Sequence, residues 1–312
     1  MATAIPYLDE VWNVTTGCGD DMVSPGCLNC YARRMFGRNL WKCPRCKGHG
    51  DIPTAPVISF AWPRREPERW GACPTCHGTG HQDFAPTFHA DRLEQPLHWR
   101  KPRVVGVSFM GDLFHEAITD TQLDEVFRVI AACQHHTFLT LTKRPDRQAA
   151  YLQGEVKRPG SWMGQYGPLP NLWPGVTVCN QAEADRLVPI LLDTPAAKRW
   201  VSLEPMLGPV DMLTIASDRD QHHYTNALEG YRIDGDMVEV PKLDWVVLGG
   251  ETGPGARRMH AGWAVDVWKQ CRAAGVPFYW KQAGSAWLPG DGTDDDDDSA
   301  VLDCRELPEV TP

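Results

Sequence analysis

The chain has 312 residues, 42% of them hydrophobic, which is enough for one large α/β domain with insertions and excludes a small module held together by staples. Its formal charge is −9, yet Gly290 to Pro312 holds nine acids against Arg305 alone, so the body is near neutral and overall acidity does not exclude a nucleic-acid partner. Met1 to Glu10 lacks a basic region and a long apolar run, and no stretch of about 18 uninterrupted apolar residues follows, so neither secretion nor membrane insertion is expected.

The first element runs through Trp12-Asn13-Val14-Thr15-Thr16-Gly17-Cys18, an extended β-branched segment. A Gly/Pro loop, Ser24-Pro25-Gly26, leads to Cys27-Leu28-Asn29-Cys30 and a segment of helical composition ending near Met35. Three thiols in one strand, loop and helix start are one too few to close a four-iron cluster, so one iron would be left open for chemistry. A structural zinc site completed by a distant ligand is the alternative. Eleven cysteines, most of them in metal-like pairs, point to a reducing cytoplasm rather than a disulfide scaffold. From Tyr31 to Gly50 come Arg33, Arg34, Arg38, Lys42, Arg45 and Lys47 with no acid, interleaved with Tyr31, Phe36 and Trp41. This is either a nucleic-acid surface or a solvated basic helix beside a metal site.

An insertion follows, at residues 42–90. Cys43-Pro44-Arg45-Cys46-Lys47-Gly48-His49-Gly50 is echoed by Cys73-Pro74-Thr75-Cys76-His77-Gly78-Thr79-Gly80. Two such C-x-x-C-x-G-x-G knuckles supply four thiolates for one structural zinc, Cys43, Cys46, Cys73 and Cys76; a second redox cluster is the other reading. The pattern resembles the zinc knuckles of J-domain chaperones, with two repeats instead of four.

Beyond residue 100, short apolar runs at Val104 to Phe109, Phe138 to Leu141, Gly175 to Val178, Trp200 to Leu203, Trp245 to Leu248 and Pro277 to Trp280 read as buried strands. Helices separate them. Thr119 with Gln122 and Asn180 with Glu183 give capping patterns, Pro189 is expected to kink or shorten the second helix, and Gly275 should close a third. About seven strand–helix units predict a complete or partial parallel β/α barrel over 1–41 and 91–289, with an open doubly wound sheet as the runner-up. Asp112, Lys143, Asn180, Glu204, Glu251, Lys281 and Gln282 follow successive strands and should converge on one mouth. Thr214 to Lys242 is a polar excursion with a hairpin-like Tyr231 to Val238, and 290–312 reads as an acidic disordered tail. His115-Glu116 and His135-His136 are too isolated to build a hydrolytic zinc centre.

These motifs are similar to a phage and prophage family known only as a domain of unknown function, itself similar to the radical S-adenosylmethionine enzymes and most closely to spore photoproduct lyase. The resemblance runs through Trp12 to Arg34, Ser108 to His115, Leu141 to Pro145, Gly175 to Ala184, Ser202 to Asp211 and Trp245 to Gln282, and leaves out the insertion and the tail. It implies a barrel of the radical S-adenosylmethionine type with a [4Fe-4S] cluster on Cys18, Cys27 and Cys30. S-adenosylmethionine would be held at Ser108-Phe109-Met110-Gly111-Asp112 and Lys143, with Asp112 taking its amine and Lys143 its carboxylate. Glu204 and Glu251 would line the substrate side with Arg257 and Arg258, although two arginines after a Gly-rich turn also suit phosphate. Radical S-adenosylmethionine enzymes usually space the cysteines C-x3-C-x2-C with an aromatic residue before the last; here the spacing is C-x8-C-x2-C, and Asn29 precedes Cys30.

The expected function is a radical enzyme in the cytoplasm, of the host if phage-encoded, repairing or modifying a nucleic acid or nucleotide base and served by an electron donor. The alternative is a non-catalytic, metal-stabilised nucleic-acid-binding or regulatory protein.

Overall fold

The computed structural model describes residues 5–36, 47, 49, 51–53, 70–73, 84–217, 220–288 and 300–309. Seven strands form where short apolar runs are covered on both faces: β1 (Glu10–Trp12), β2 (Val104–Val107), β3 (Thr137–Thr142), β4 (Leu172–Thr177), β5 (Trp200–Leu203), β6 (Trp245–Gly249) and β7 (Phe278–Gln282). They pair in strict sequential order and every neighbouring pair is parallel. A doubly wound sheet reverses its strand order at a switch point, and this one does not, so the barrel reading holds. Among the described residues β1 and β7 do not pair with each other, which makes the barrel partial.

Alternation along the strands explains the curl. Trp200, Trp245, Val247 and Tyr279 face inward with Leu139 and Trp173, while Val201, Leu203, Val246, Leu248, Phe278 and Trp280 pack outward. Tyr7, just ahead of β1, meets Trp245 at 5.2 Å and Tyr279 of β7 at 5.4 Å, both edge-on. Side chains beside the first and on the last strand touch only if the sheet bends round. Gly175 is required here, since a Cβ on it would lie 2.4 Å from the Trp200 indole.

Helices α1 (Asp120–Ala132), α2 (Pro145–Lys157), α3 (Gln181–Leu192) and α4 (Ala261–Ala274) cover the outer face. Thr119 forms the expected capping box with Gln122, Asn180 accepts the Glu183 N–H, and Gly275 ends α4 in the left-handed conformation. Contrary to expectation, α3 continues past Pro189 to Leu192. The buried faces of Ala184, Leu187, Val188, Leu191 and Leu192 hold it there. Between β5 and β6 the polar excursion forms a four-stranded antiparallel sheet, whose hairpin Tyr231–Asp234 and Asp236–Glu239 turns at Gly235, φ 80°.

Residues 300–309, within the tail expected to be disordered, are placed against β7. Trp280 donates to the Cys304 carbonyl (2.9 Å), Glu306 donates to the Phe278 carbonyl (3.0 Å), and Val301 is 1% exposed. Residues 300–309 thus form a strap along the free edge of β7, a protection that an open sheet edge needs. The acid run Asp294 to Asp298 lies outside the described residues.

The chain divides into compact units at 29/30 and 85/86, not at the expected 41/42 and 90/91. The smaller unit, Cys30–Ala85, has the helix Tyr31–Phe36 and a strand pair, Asp51–Pro53 with Trp70–Ala72, leading to buried Cys73. Cys43, Cys46 and Cys76 of the zinc reading lie outside the described residues. No helix among those described is long and apolar enough to cross a membrane.

Candidate active site at the strand ends

The segment leading into Cys18 is stitched to the turn after β2. Met110 donates to Asn13 Oδ1 (3.1 Å), Gly17 donates to the Met110 carbonyl (2.9 Å), and the Thr15 N–H donates to the hydroxyl of buried Ser108 (3.1 Å). Ser108 adopts φ 59°, a left-handed conformation uncommon outside glycine. Gly111 lies so close that a Cβ would be 2.8 Å from both the nitrogen and the oxygen of Gly17. Ser108 and Gly111, expected at the cofactor, therefore hold the approach to Cys18.

Asp112 is 5% exposed. Its carboxylate accepts from Thr142 Oγ1 (2.7 Å), Phe114 N (3.0 Å), Lys143 N (3.1 Å) and an Arg144 terminal nitrogen (3.3 Å). A carboxylate offers about four lone-pair positions, so these donors leave no room for an incoming amine. Asp112, expected to take the cofactor amine, here anchors the ends of β2 and β3. Arg144, 7% exposed, is the hub that the sequence did not disclose: it also binds Glu116 (3.0 Å) and Asp21 (3.2 Å), three residues after Cys18.

His115 joins this network through Nε2 to Asp21 (3.1 Å), and Asp21, His115 and Glu116 have ligand atoms within 4.8 Å of one another. A metal-bound neutral imidazole donates from its other nitrogen, but Nδ1 here accepts the Ala117 N–H (3.0 Å). With the Arg144 guanidinium bound to both carboxylates, the group forms an ion-pair clasp.

A second clasp holds the far end of the cysteine loop. Asn29 donates to Glu251 Oε2 (2.9 Å) and to the Gly255 carbonyl (2.9 Å). Arg257 binds the same carboxylate through its backbone N–H (2.8 Å) and Nε (3.0 Å), and reaches the Pro25 carbonyl (3.0 Å). Burial alone would raise the Glu251 pKa, but the Arg257 and Asn29 donors outweigh it and hold the carboxyl at about 2. Glu251 and Arg257, expected on the substrate side, fasten the loop instead. Arg258 is exposed and makes no ion pair among the described residues.

Buried Cys179, just beyond β4, lies 3.6 Å from the Ser24 hydroxyl, and a Cβ on Gly26 would come within 2.9 Å of its sulfur. Burial, with Glu183 nearby, pushes its thiol up to about 12, so it stays protonated and packs under the loop. The loop is thus held from the ends of β2, β3, β4 and β6, with half-buried Cys18 and Cys27 upon it. Cys30 begins the smaller unit, where its carbonyl accepts the Arg34 N–H (3.1 Å).

Past the end of β5, Glu204 accepts from Lys281 Nζ (2.6 Å) and Gln282 Nε2 (2.9 Å) of β7. In the smaller unit Arg33 sits over the Phe84 ring at 5.5 Å, with Phe36 against the same ring at 5.1 Å. Of the other expected basic residues, Arg38, Lys42 and Arg45 lie outside the described set.

A family profile described as "Protein of unknown function (DUF5131)" matches residues 2–306. No curated protein and no solved structure matches the chain.

Proposed function

The chain belongs to the DUF5131 family, and on that footing we propose that it is a radical S-adenosylmethionine enzyme acting on a nucleic acid or nucleotide base. The observation that carries the reading is the cysteine loop fastened across the ends of four parallel strands, where such sheets bind ligands. Cys18 and Cys27 fit a cluster: both thiols are free of disulfides and half-buried, and the Asp21 and Glu251 carboxylates flanking the loop are engaged by Arg144 and Arg257. Cys30, three positions after Cys27 in sequence, would complete the ligand set. Held by these three thiolates, a [4Fe-4S] cluster with S-adenosylmethionine would supply radical chemistry for hydrogen abstraction, given one electron from an outside donor.

The chain's own contribution is position and exclusion of water. The Asp112–Arg144 and Glu251–Arg257 clasps fix the two ends of the loop, so that the thiols are presented without rearrangement. Lys143 offers a cation for the cofactor carboxylate, and Glu204 with Lys281 and Gln282 forms the polar wall toward the substrate. The two knuckles, Cys43 with Cys46 and Cys73 with Cys76, would bind one structural zinc, and an outside donor would supply the electron. Anaerobic reconstitution followed by dithionite should yield 5′-deoxyadenosine from S-adenosylmethionine, with an electron paramagnetic resonance signal that changes when the cofactor is added. A correctly assembled cluster giving neither would refute the reading.

The second reading is a non-catalytic, metal-shaped nucleic-acid-binding or regulatory protein, favoured by the internal consumption of Asp112 and Glu251. Calorimetry separates the two, because a scaffold should show no heat with S-adenosylmethionine beyond dilution.

A further inference from the structure

Pairing registers lay the inner faces of β4 to β7 out in rows. Gly175, Trp200 and Trp245 are mutual partners; one step toward the strand ends come Thr177, Ser202, Val247 and Tyr279; above them Gly249 pairs with Gln282. Glu204 and Lys281 share that upper level through their ion pair. The lowest row is a hydrophobic floor of indoles and the highest is polar. Ser202, between them, is 1% exposed, and its Oγ is buried with no hydrogen-bond partner among the described residues. Strand alternation points it inward, since Val201 and Leu203 on either side belong to the outer core. An unpaired buried hydroxyl weakens a fold, and alanine would avoid the cost, so its presence calls for a partner that the described residues do not supply.

The neighbours say what kind. Glu204 and Lys281 cancel in charge, and after their mutual hydrogen bond the ammonium retains donors, the carboxylate retains acceptor positions, and Gln282 retains its carbonyl oxygen. A phosphate placed here would meet Glu204, and a cation would meet Lys281. An uncharged edge carrying both donors and acceptors satisfies all of them. We propose that Ser202, with Glu204, Lys281 and Gln282, forms a subsite for the hydrogen-bonding edge of a nucleobase. This rests on, and narrows, the base-modifying function proposed above: it gives the base a position inside the barrel above the Trp200–Trp245 floor, with selectivity read by a neutral polar array.

The test compares short single-stranded oligonucleotides with abasic strands of equal length, by fluorescence anisotropy on the full chain. Wild type should favour base-bearing strands by about tenfold, and Ser202→Ala should cut that preference at least about threefold, the usual worth of one buried hydrogen bond, without lowering Tm. Glu204→Gln, which exchanges an acceptor for a donor, should change which base is preferred. Equal binding of abasic strands by wild type overturns the subsite, as does a Ser202→Ala protein with lowered Tm and unchanged preference, in which case the hydroxyl serves an internal water. Assaying 5′-deoxyadenosine in the same preparations separates the two ideas. Its formation without base preference sinks the subsite alone; a Ser202-dependent base preference without it supports the subsite and counts against the radical reading.

Discussion

Replacing Glu251 with Gln tests the clasp on the far end of the cysteine loop. The carboxyl is 5% exposed and is held at about 2, against 4.5 for a free glutamate. That depression corresponds to about 3 kcal/mol of preference for the ionised, folded form. Because the folded value lies below the unfolded one, the stabilisation is complete above pH 4.5 and drains away as pH falls toward about 2. Glu251→Gln keeps the volume but leaves the Arg257 guanidinium without its counter-charge, a change of the same order. Denaturant unfolding of wild type and Glu251→Gln, followed by tryptophan fluorescence, should differ by about 3 kcal/mol at neutral pH, and the gap should narrow steadily below the glutamate range. A difference under about 0.5 kcal/mol, or one that does not change with pH, would refute the reasoning.

Three further outcomes are expected. Arg144→Met strands Asp112, Asp21 and Glu116 without their shared cation and should lower stability by about 3 kcal/mol in the same unfolding assay. Gly111→Ala drives a methyl group into the Gly17 backbone; it should cost about 1–3 kcal/mol and reduce the iron retained after anaerobic reconstitution, measured by metal analysis. Cys18→Ser should abolish the brown colour of reconstituted protein while leaving its far-ultraviolet circular dichroism unchanged, since the side chain is half-buried and the backbone before it is held by Ser108 and Met110.

The sheet was legible in the sequence because each strand is a short apolar run with its own punctuation, and the strictly sequential pairing follows from the strand–helix rhythm. The polar residues after the strands were legible for the same reason. Their partners were not. Arg144 reaches Asp21 across 123 positions and Asn29 reaches Glu251 across 222, so no local pattern could tell an anchoring carboxylate from one that waits for a ligand. Asn29, beside Cys30 in sequence, reads as an ordinary loop amide, yet it holds the loop to Glu251. The strap at Cys304 to Glu306 was hidden by the acid run before it. Three residues pairing with an edge leave no periodicity to detect.

The contact between Tyr7 and Tyr279 also bears on how the molecule comes into being. The Trp200 and Trp245 indoles are enclosed by residues from before β1 and from β7, so the interior stays wet on a nascent chain until β7 has left the ribosome. High sequence separation of this kind slows folding and exposes β7's neighbours to wrong partners in the interval. Chains interrupted before Phe278 should therefore be handled by the cell as unfinished, not as shortened working copies.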